Sequence, residues 1–222
     1  MSLTLGFDIY GTLIDPHGVV VKLEEFIGER AVDFSNLWRS KQLEFTFRKG
    51  LMRKYENFPV CTRQALDYTD TVMQTGLSDS AKQALMDSYR VLPAFDDVVS
   101  SLETVSQQGH RLFGFSNGTE EAVQGLLEHA GIDHFFEGVV SVDSIQSFKP
   151  DPAVYHYFLK KTGSVAAQSW LVSSNPFDII GAVSIGMKGA WLKRAATAIY
   201  DPWGVEPTKI IDKLADLSEL PA

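Results

Sequence analysis

Apolar positions along this chain fall into short blocks separated by longer amphipathic stretches. Five blocks read as strands: Leu3–Phe7, Arg111–Phe115, Val139–Val142, Trp170–Val172 and Ala190–Leu192. Segments with helical spacing, Phe95–Gln107, Glu120–Ala130, Pro152–Thr162 and Phe177–Ile185, precede or separate the last four. Strands that alternate with helices predict right-handed crossovers, hence an α/β fold with a doubly wound parallel sheet. Two helix starts are marked. Asn117-Gly118-Thr119 supplies capping residues, and Lys149-Pro150-Asp151-Pro152 supplies a cap with a proline at the first helical position.

The stretch from Pro16 to Leu92 breaks the alternation. It has no convincing strand, and Phe34–Phe47, Thr62–Gln74 and Ser80–Tyr89 all carry helical apolar spacing. The pattern predicts a helical cap, residues 16–92, inserted after the first strand of a core made of 1–15 and 93–222. Pro93-Ala94-Phe95 returns the chain to that core. The last apolar segment, Thr208–Leu217, reads as a short terminal helix with a frayed end.

Composition narrows the function classes. A chain of 222 residues accommodates one sizeable core with a smaller inserted domain. A formal charge of −8 argues against a nucleic-acid partner, because phosphate binding needs a basic surface. No apolar run approaches the roughly 20 residues of a membrane span. The start, Met1-Ser2-Leu3-Thr4, lacks the features of a signal peptide, so the expected location is the cytoplasm. The single cysteine, Cys61, reads as a small buried hydrophobe. His17, His110, His129, His134 and His156 show no metal-ligand spacing and read as surface or structural residues.

The chemistry-bearing residues lie where strands end. Leu3–Phe7 delivers Asp8 to the sheet's carboxyl edge, followed at once by Gly11 and Thr12. An Asp carboxylate can act as a covalent nucleophile on carbon or phosphorus. Ser116, in Phe115-Ser116-Asn117-Gly118, brings a hydroxyl and an amide to a helix start, a cradle for a carboxylate or oxyanion. Lys149 places a point charge near the same edge, where it would keep Asp8 ionised. A fourth polar segment, Ser173-Ser174-Asn175-Pro176-Phe177-Asp178, follows the Trp170–Val172 run.

In this order, Asp-x-Tyr-Gly-Thr, Ser-Asn-Gly, Lys-Pro and Ser-Ser-Asn-Pro-Phe-Asp, the segments resemble the motifs of the haloacid dehalogenase superfamily. Most of that superfamily are phosphatases with a second Asp two residues after the nucleophile and a Gly-Asp-x-x-x-Asp fourth motif. Here Tyr10 and Ser174 stand at two of those carboxylates. The first replacement implies loss of a general acid, and the second implies loss of magnesium affinity. A phosphate dianion needs a metal to approach a carboxylate, whereas a haloacid is a monoanion whose halide leaves unprotonated. The chain therefore resembles the L-2-haloacid dehalogenases, from Leu5 to about Arg194, cap included.

The resemblance implies roles residue by residue. Asp8 attacks C2 of an (S)-2-haloacid, with Thr12 and Lys149 holding its carboxylate. Ser116 and the N–H groups near Ile9, Tyr10 and Asn117 bind the substrate carboxylate. Arg39, in the cap segment Leu37-Trp38-Arg39-Ser40-Lys41-Gln42-Leu43, takes the halide together with Asn117. Leu43 and Phe58 line the pocket, and Phe177 stands where the family commonly has tryptophan. Tyr155 hydrogen-bonds around the nucleophile. Asp178, Asn175 and Ser173 position the hydrolytic water. Trp191-Leu192-Lys193-Arg194 resembles a Trp-x-Asn-Arg segment with no assigned catalytic part. The resemblance also implies an (R)-2-hydroxyacid product with inversion at C2, no metal or organic cofactor, and a homodimer. Two other readings stay open: a degenerate phosphatase, marked by magnesium-dependent phosphate release, and a non-catalytic binding protein of the same fold.

Overall fold

The computed structural model describes residues 2–220. Its centre is a six-stranded sheet of order β3-β2-β1-β4-β5-β6 in which every neighbouring pair is parallel. The strands are β1 (Thr4–Phe7), β2 (Arg111–Ser116), β3 (Gly138–Ser141), β4 (Ser169–Ser173), β5 (Lys188–Leu192) and β6 (Lys209–Ile211). The first five lie where the apolar blocks predict them. The sixth is a correction. Thr208–Leu217, expected as a helix, holds a three-residue edge strand paired with β5 and then a 3-10 turn, Leu214–Glu219. Ile210, Ile211, Leu214 and Leu217 have helical spacing, but the run is too short for the pattern to hold it. The open edge of β5 decides for a strand, because its backbone groups need partners.

Strand order positions the site. The chain passes from β1 to β2 and β3 on one side, then crosses back to β4, β5 and β6 on the other. The reversal falls between β1 and β4, and ligands of open α/β sheets bind outside the carboxyl ends at such a point. β1 is buried on both faces, with Leu5 and Phe7 packed in one apolar cluster. On the opposite face a Cβ at Gly6 would lie 2.8 Å from the Phe158 ring, so only glycine lets the covering helix sit this close. Four helices flank the sheet: α5 (Val98–Ser106), α6 (Glu120–His129), α7 (Pro152–Thr162) and α8 (Pro176–Ser184).

Between β1 and β2 the chain is helical and contains no strand of the sheet. It forms α1 (Val20–Ile27), α2 (Ala31–Leu51), α3 (Phe58–Met73) and α4 (Asp79–Ser88). The three helices anticipated there are present, and α1 is an addition. Asn57 and Ser78 cap α3 and α4 by accepting from Val60 N and Ala81 N. The buried face of α2 includes Phe34, Trp38, Gln42 and Thr46, a helical repeat that mixes apolar with polar residues. Trp38 is fully buried and donates from Nε1 to Thr62 O at 2.9 Å, tying α2 to α3. The two connections to the core run side by side, with Asp15 N donating to Pro93 O at 2.8 Å and Phe95 N to Leu13 O at 3.0 Å. Among the described residues no helix is long and apolar enough to cross a membrane.

Candidate active site

Asp8 directly follows β1 and is buried, its N–H donating to Val172 O of β4 at 2.9 Å. The backbone then turns tightly, as the N–H groups of Thr12, Leu13 and Ile14 converge on Ile9 O at 2.9–3.2 Å. That turn brings the Thr12 hydroxyl back to Asp8 Oδ2 at 2.9 Å. Two more donors reach the same oxygen from beyond β4: Ser173 Oγ at 3.2 Å and Asn175 Nδ2 at 2.7 Å. Asn175 occupies the N-cap position of α8 yet makes no capping bond with its side chain. Its amide is spent on the carboxylate instead.

Asp8 Oδ1 has one partner, Lys149 Nζ at 3.1 Å. Lys149 is almost wholly buried, and its amine also donates to Phe115 O at 2.8 Å and Asp178 Oδ2 at 2.7 Å. The lysine thus bridges two carboxylates from the peptide before α7, with its backbone N–H held by Asn117 Oδ1 at 2.9 Å. Tyr155 donates to Asp178 Oδ1 at 2.8 Å. A Cβ at position 181 would fall 2.4 Å from that phenol oxygen, so Gly181 is what admits the tyrosine. Burial pushes the Asp178 carboxyl up to about 6; Lys149 pulls it down and the charge of Asp8 adds to the rise. Burial and the two carboxylates raise the Tyr155 phenol well above its ordinary range, so it stays a donor.

Opposite this cluster lies a set of free donors. Ser116 ends β2, is buried, and accepts from Gly118 N at 3.1 Å, which leaves its hydroxyl proton unspent. Among the described residues no acceptor takes up the N–H groups of Ile9, Tyr10 or Asn117. The cap contributes Arg39 from α2, with Nη2 donating to Tyr10 O at 3.1 Å and Nη1 to Gln42 Oε1 at 2.6 Å. Phe58, buried at the start of α3, packs its ring 5.2 Å from that of Tyr10. These two rings form part of the wall of a cavity of about 830 Å³ that opens between cap and core beside Thr119 of the α6 cap. Asp8 is not among the residues that line it.

A buried nucleophile type at the switch point, a lysine bridging it to a second carboxylate, and a helical insertion over both are joined by a direct match. A model of the haloacid dehalogenase-like hydrolases covers residues 6–192. The chain belongs to the haloacid dehalogenase family. It is 34% identical over 216 residues to the (S)-2-haloacid dehalogenase of Pseudomonas sp. strain YL, covering 97% of this chain and 93% of that protein. It is 35% identical over 203 residues to haloacetate dehalogenase H-2 of Moraxella sp. strain B, covering 91% and 90%. The solved L-2-haloacid dehalogenase of Xanthobacter autotrophicus matches with a TM-score of 0.92 at 28% identity, over 99% of this chain and 98% of that one. A structure of that enzyme with chloropropionic acid covalently bound matches equally well, at 27% identity. Within the family, this chain stands among the L-2-haloacid dehalogenases.

The structure brings together most of the residues that the haloacid dehalogenase resemblance singles out. Asp8, Thr12, Lys149, Ser173 and Asn175 make one hydrogen-bonded cluster, and Asp178 joins it through Lys149. Two of them sit at least one contact back from the nucleophile. Tyr155 bonds Asp178 and not the nucleophile, and Asp178 meets Asp8 only through the lysine. Leu43 is half-buried on α2, one turn beyond Arg39, and Phe177 packs at 5.0 Å against Phe47 of the cap. Ser174 turns away from Asp8, donating to Gly11 O at 2.6 Å and offering its N–H to Thr12 Oγ1 at 2.9 Å. That donor set does not fit magnesium, which favours carboxylate ligands, because Ser174 supplies only a hydroxyl and Asp178 is engaged by lysine and tyrosine.

Several supporting residues have a role that the sequence alone does not reveal. Trp191 donates to Ser174 O at 3.1 Å, and Arg194 donates twice to Thr12 O at 2.6 and 3.0 Å while paired with Asp97 at 2.6 Å. The Trp-Leu-Lys-Arg segment therefore braces both loops around Asp8 from behind. Gln42 and the carbonyls of Tyr10 and Phe115 are further additions. Backbone acceptors have no residue signature, and a buried glutamine shows only once the two cap helices meet.

Proposed function

We propose that this chain hydrolyses (S)-2-haloacids to (R)-2-hydroxyacids and halide through an ester on Asp8. The observation that carries this reading is the uneven loading of the nucleophile: three donors on Oδ2 and one on Oδ1. Oδ1 keeps the freer lone pair, and it attacks C2 as the carbon–halogen bond breaks from the far side. Ser116 and the N–H groups of Ile9, Tyr10 and Asn117 hold the substrate carboxylate. The halide departs toward Arg39 and Asn117, while Leu43, Phe58 and Phe177 pack the remainder of the substrate.

Water then attacks the Asp8 acyl carbon, placed by Asn175, Ser173 and Asp178. Each Asp178 oxygen has one partner and so retains an acceptor position for that water. The tetrahedral centre's negative charge develops on Oδ2, where Thr12, Ser173 and Asn175 already point. Collapse expels the hydroxyacid oxygen, which takes one proton of the water, while Asp8 keeps the water's oxygen and returns to its carboxylate as the second proton leaves to solvent. C2 inverts once. No step calls on a metal or organic cofactor.

The reading divides the chain into a catalytic core, 1–15 and 93–222, and a cap, 16–92. It places the enzyme in the cytoplasm as a homodimer. The test is halide release from (S)-2-chloropropionate with chiral analysis of the product. Formation of (R)-lactate supports the reading. Retention at C2, or magnesium-dependent phosphate release in place of halide release, overturns it.

A further inference from the structure

We infer that Gln42 is a positioning residue: it holds the Arg39 guanidinium as a neutral tether and thereby sets how well the enzyme handles poor leaving groups. The inference rests on the reading that Arg39 takes the halide. Gln42 has no exposed surface and lies three residues beyond Arg39 on α2, on the same face. Arg39 Nη1 donates to its Oε1 at 2.6 Å, and its Nε2 donates to Thr62 Oγ1 at 2.6 Å.

The orientation of that amide follows from proton counting. The Thr62 hydroxyl has one proton, which goes to Phe58 O at 2.8 Å. Thr62 can then only accept from Gln42, so the amide nitrogen faces Thr62 and the oxygen faces Arg39. The guanidinium is thus clamped at two points, by Gln42 and by Tyr10 O. The second point is shared, since Asn175 Nδ2 lies 3.4 Å from the same carbonyl and 2.7 Å from Asp8 Oδ2. A relay therefore runs from α3 through Gln42 and Arg39 to the loop beside the nucleophile. Arginine has five donors in a fixed plane, so two anchored nitrogens aim the rest.

The residue type matters as much as the contact. A glutamate would form the same tether but offset the arginine's charge, and a departing anion would then meet a neutral pair. Glutamine supplies an acceptor and leaves the full charge available. It does so on a face of α2 where an apolar residue would otherwise be expected.

The test measures kcat and KM on 2-chloropropionate and 2-bromopropionate for Gln42→Met, Gln42→Glu and Thr62→Val, with Arg39→Ala as reference. Gln42→Met should lower kcat on the chloride about tenfold, a loss of roughly 1.4 kcal/mol, and on the bromide less, with KM little changed. Gln42→Glu keeps the tether and should also raise the bromide-to-chloride ratio. Thr62→Val frees the amide to rotate and should act in the same direction, more weakly. A purely structural role lowers both substrates in parallel with the folded fraction and leaves the ratio alone. If Arg39→Ala raises the ratio and the Gln42 variants do not, the inference is wrong and the site reading stands. If Arg39→Ala leaves it unchanged, the halide site lies elsewhere and both fail. Should Gln42→Met not fold, the near-isosteric Glu and Val variants decide.

Discussion

Removing the Lys149 amine should destabilise the fold in a manner that depends on pH. Lys149→Met keeps the stem and deletes one cation that is 1% exposed and bonded to Asp8, Asp178 and Phe115 O. Two buried carboxylates are then left without their shared partner. Breaking a buried pair from one side costs about 3–5 kcal/mol when the remaining charge cannot be relieved. Here it can be relieved by protonation. Asp178 is already raised to about 6 with Lys149 holding it down, so its folded-state value climbs further in the variant. A carboxyl whose folded pKa exceeds its unfolded value of about 3.9 binds more protons when folded. Its contribution to stability is present at low pH and is lost as pH rises through the folded value. In the wild type that window runs from about 4 to 6; in the variant it extends upward. The gap between wild type and variant should therefore be small near pH 5 and approach the full cost near pH 8. Urea unfolding followed by tryptophan fluorescence at both pH values measures it. An equal loss at the two values, or a loss below about 1 kcal/mol at pH 8, would refute the reasoning.

Three further outcomes are expected. Asp8→Asn should abolish halide release, and a single wild-type turnover in heavy-oxygen water should give unlabelled hydroxyacid with the label in the protein; label entering the product directly means water attacks C2. Asp178→Asn should release the first halide but then stall, seen by mass spectrometry as a protein carrying one acyl adduct; an undiminished steady-state rate removes Asp178 from the second step. Chelators should leave dehalogenation unchanged, because Ser174 and Tyr10 occupy positions where the magnesium-dependent relatives have carboxylates; an absolute magnesium requirement contradicts this.

The candidate catalytic residues at the strand ends were legible because their chemistry interrupts an apolar run. Asp8 follows four buried residues with no intervening turn, and Ser116 and Ser173 close β2 and β4 in the same way. A polar residue in that position has few reasons to be there other than the sheet edge. Lys149 was legible from its order in the chain, and its burial was not, since nothing local tells an exposed lysine from one between two carboxylates. β6 was misread because an edge strand of three residues is decided by its neighbour. Tyr155 was legible as a hydrogen-bonding neighbour of the nucleophile but its partner was not: its reach to Asp178 depends on Gly181 of the adjoining helix α8. The relay through Gln42 depends on the packing of α2 against α3, which periodicity predicts as helices but not as partners.

Charge accounting links the two chemical steps and yields a last prediction. Asp8 and Asp178 offset Lys149 and Arg39, so the resting cluster is neutral. A monoanionic haloacid adds one negative charge, and the departing halide carries one away. A phosphate dianion would add two with no further cation to meet them. Ester formation also neutralises Asp8, whose charge is one of the causes that raise the Asp178 carboxyl, behind burial. In the ester, burial and Lys149 are unchanged, and the substrate carboxylate is held by Ser116 instead of beside Lys149, so loss of the Asp8 charge should lower the Asp178 carboxyl. Asp178 is therefore more fully ionised when the water must be placed than it is in the free enzyme. Ester hydrolysis, followed by rapid quench after single-turnover acylation and a pH jump, should lose half its rate at a pH below the midpoint of Asp178 titration in the free protein, read by carboxyl carbon resonances. An acid limb for the ester at or above that midpoint would mean that Asp8 does not set the proton affinity of Asp178, and the coupling through Lys149 would have to be redrawn.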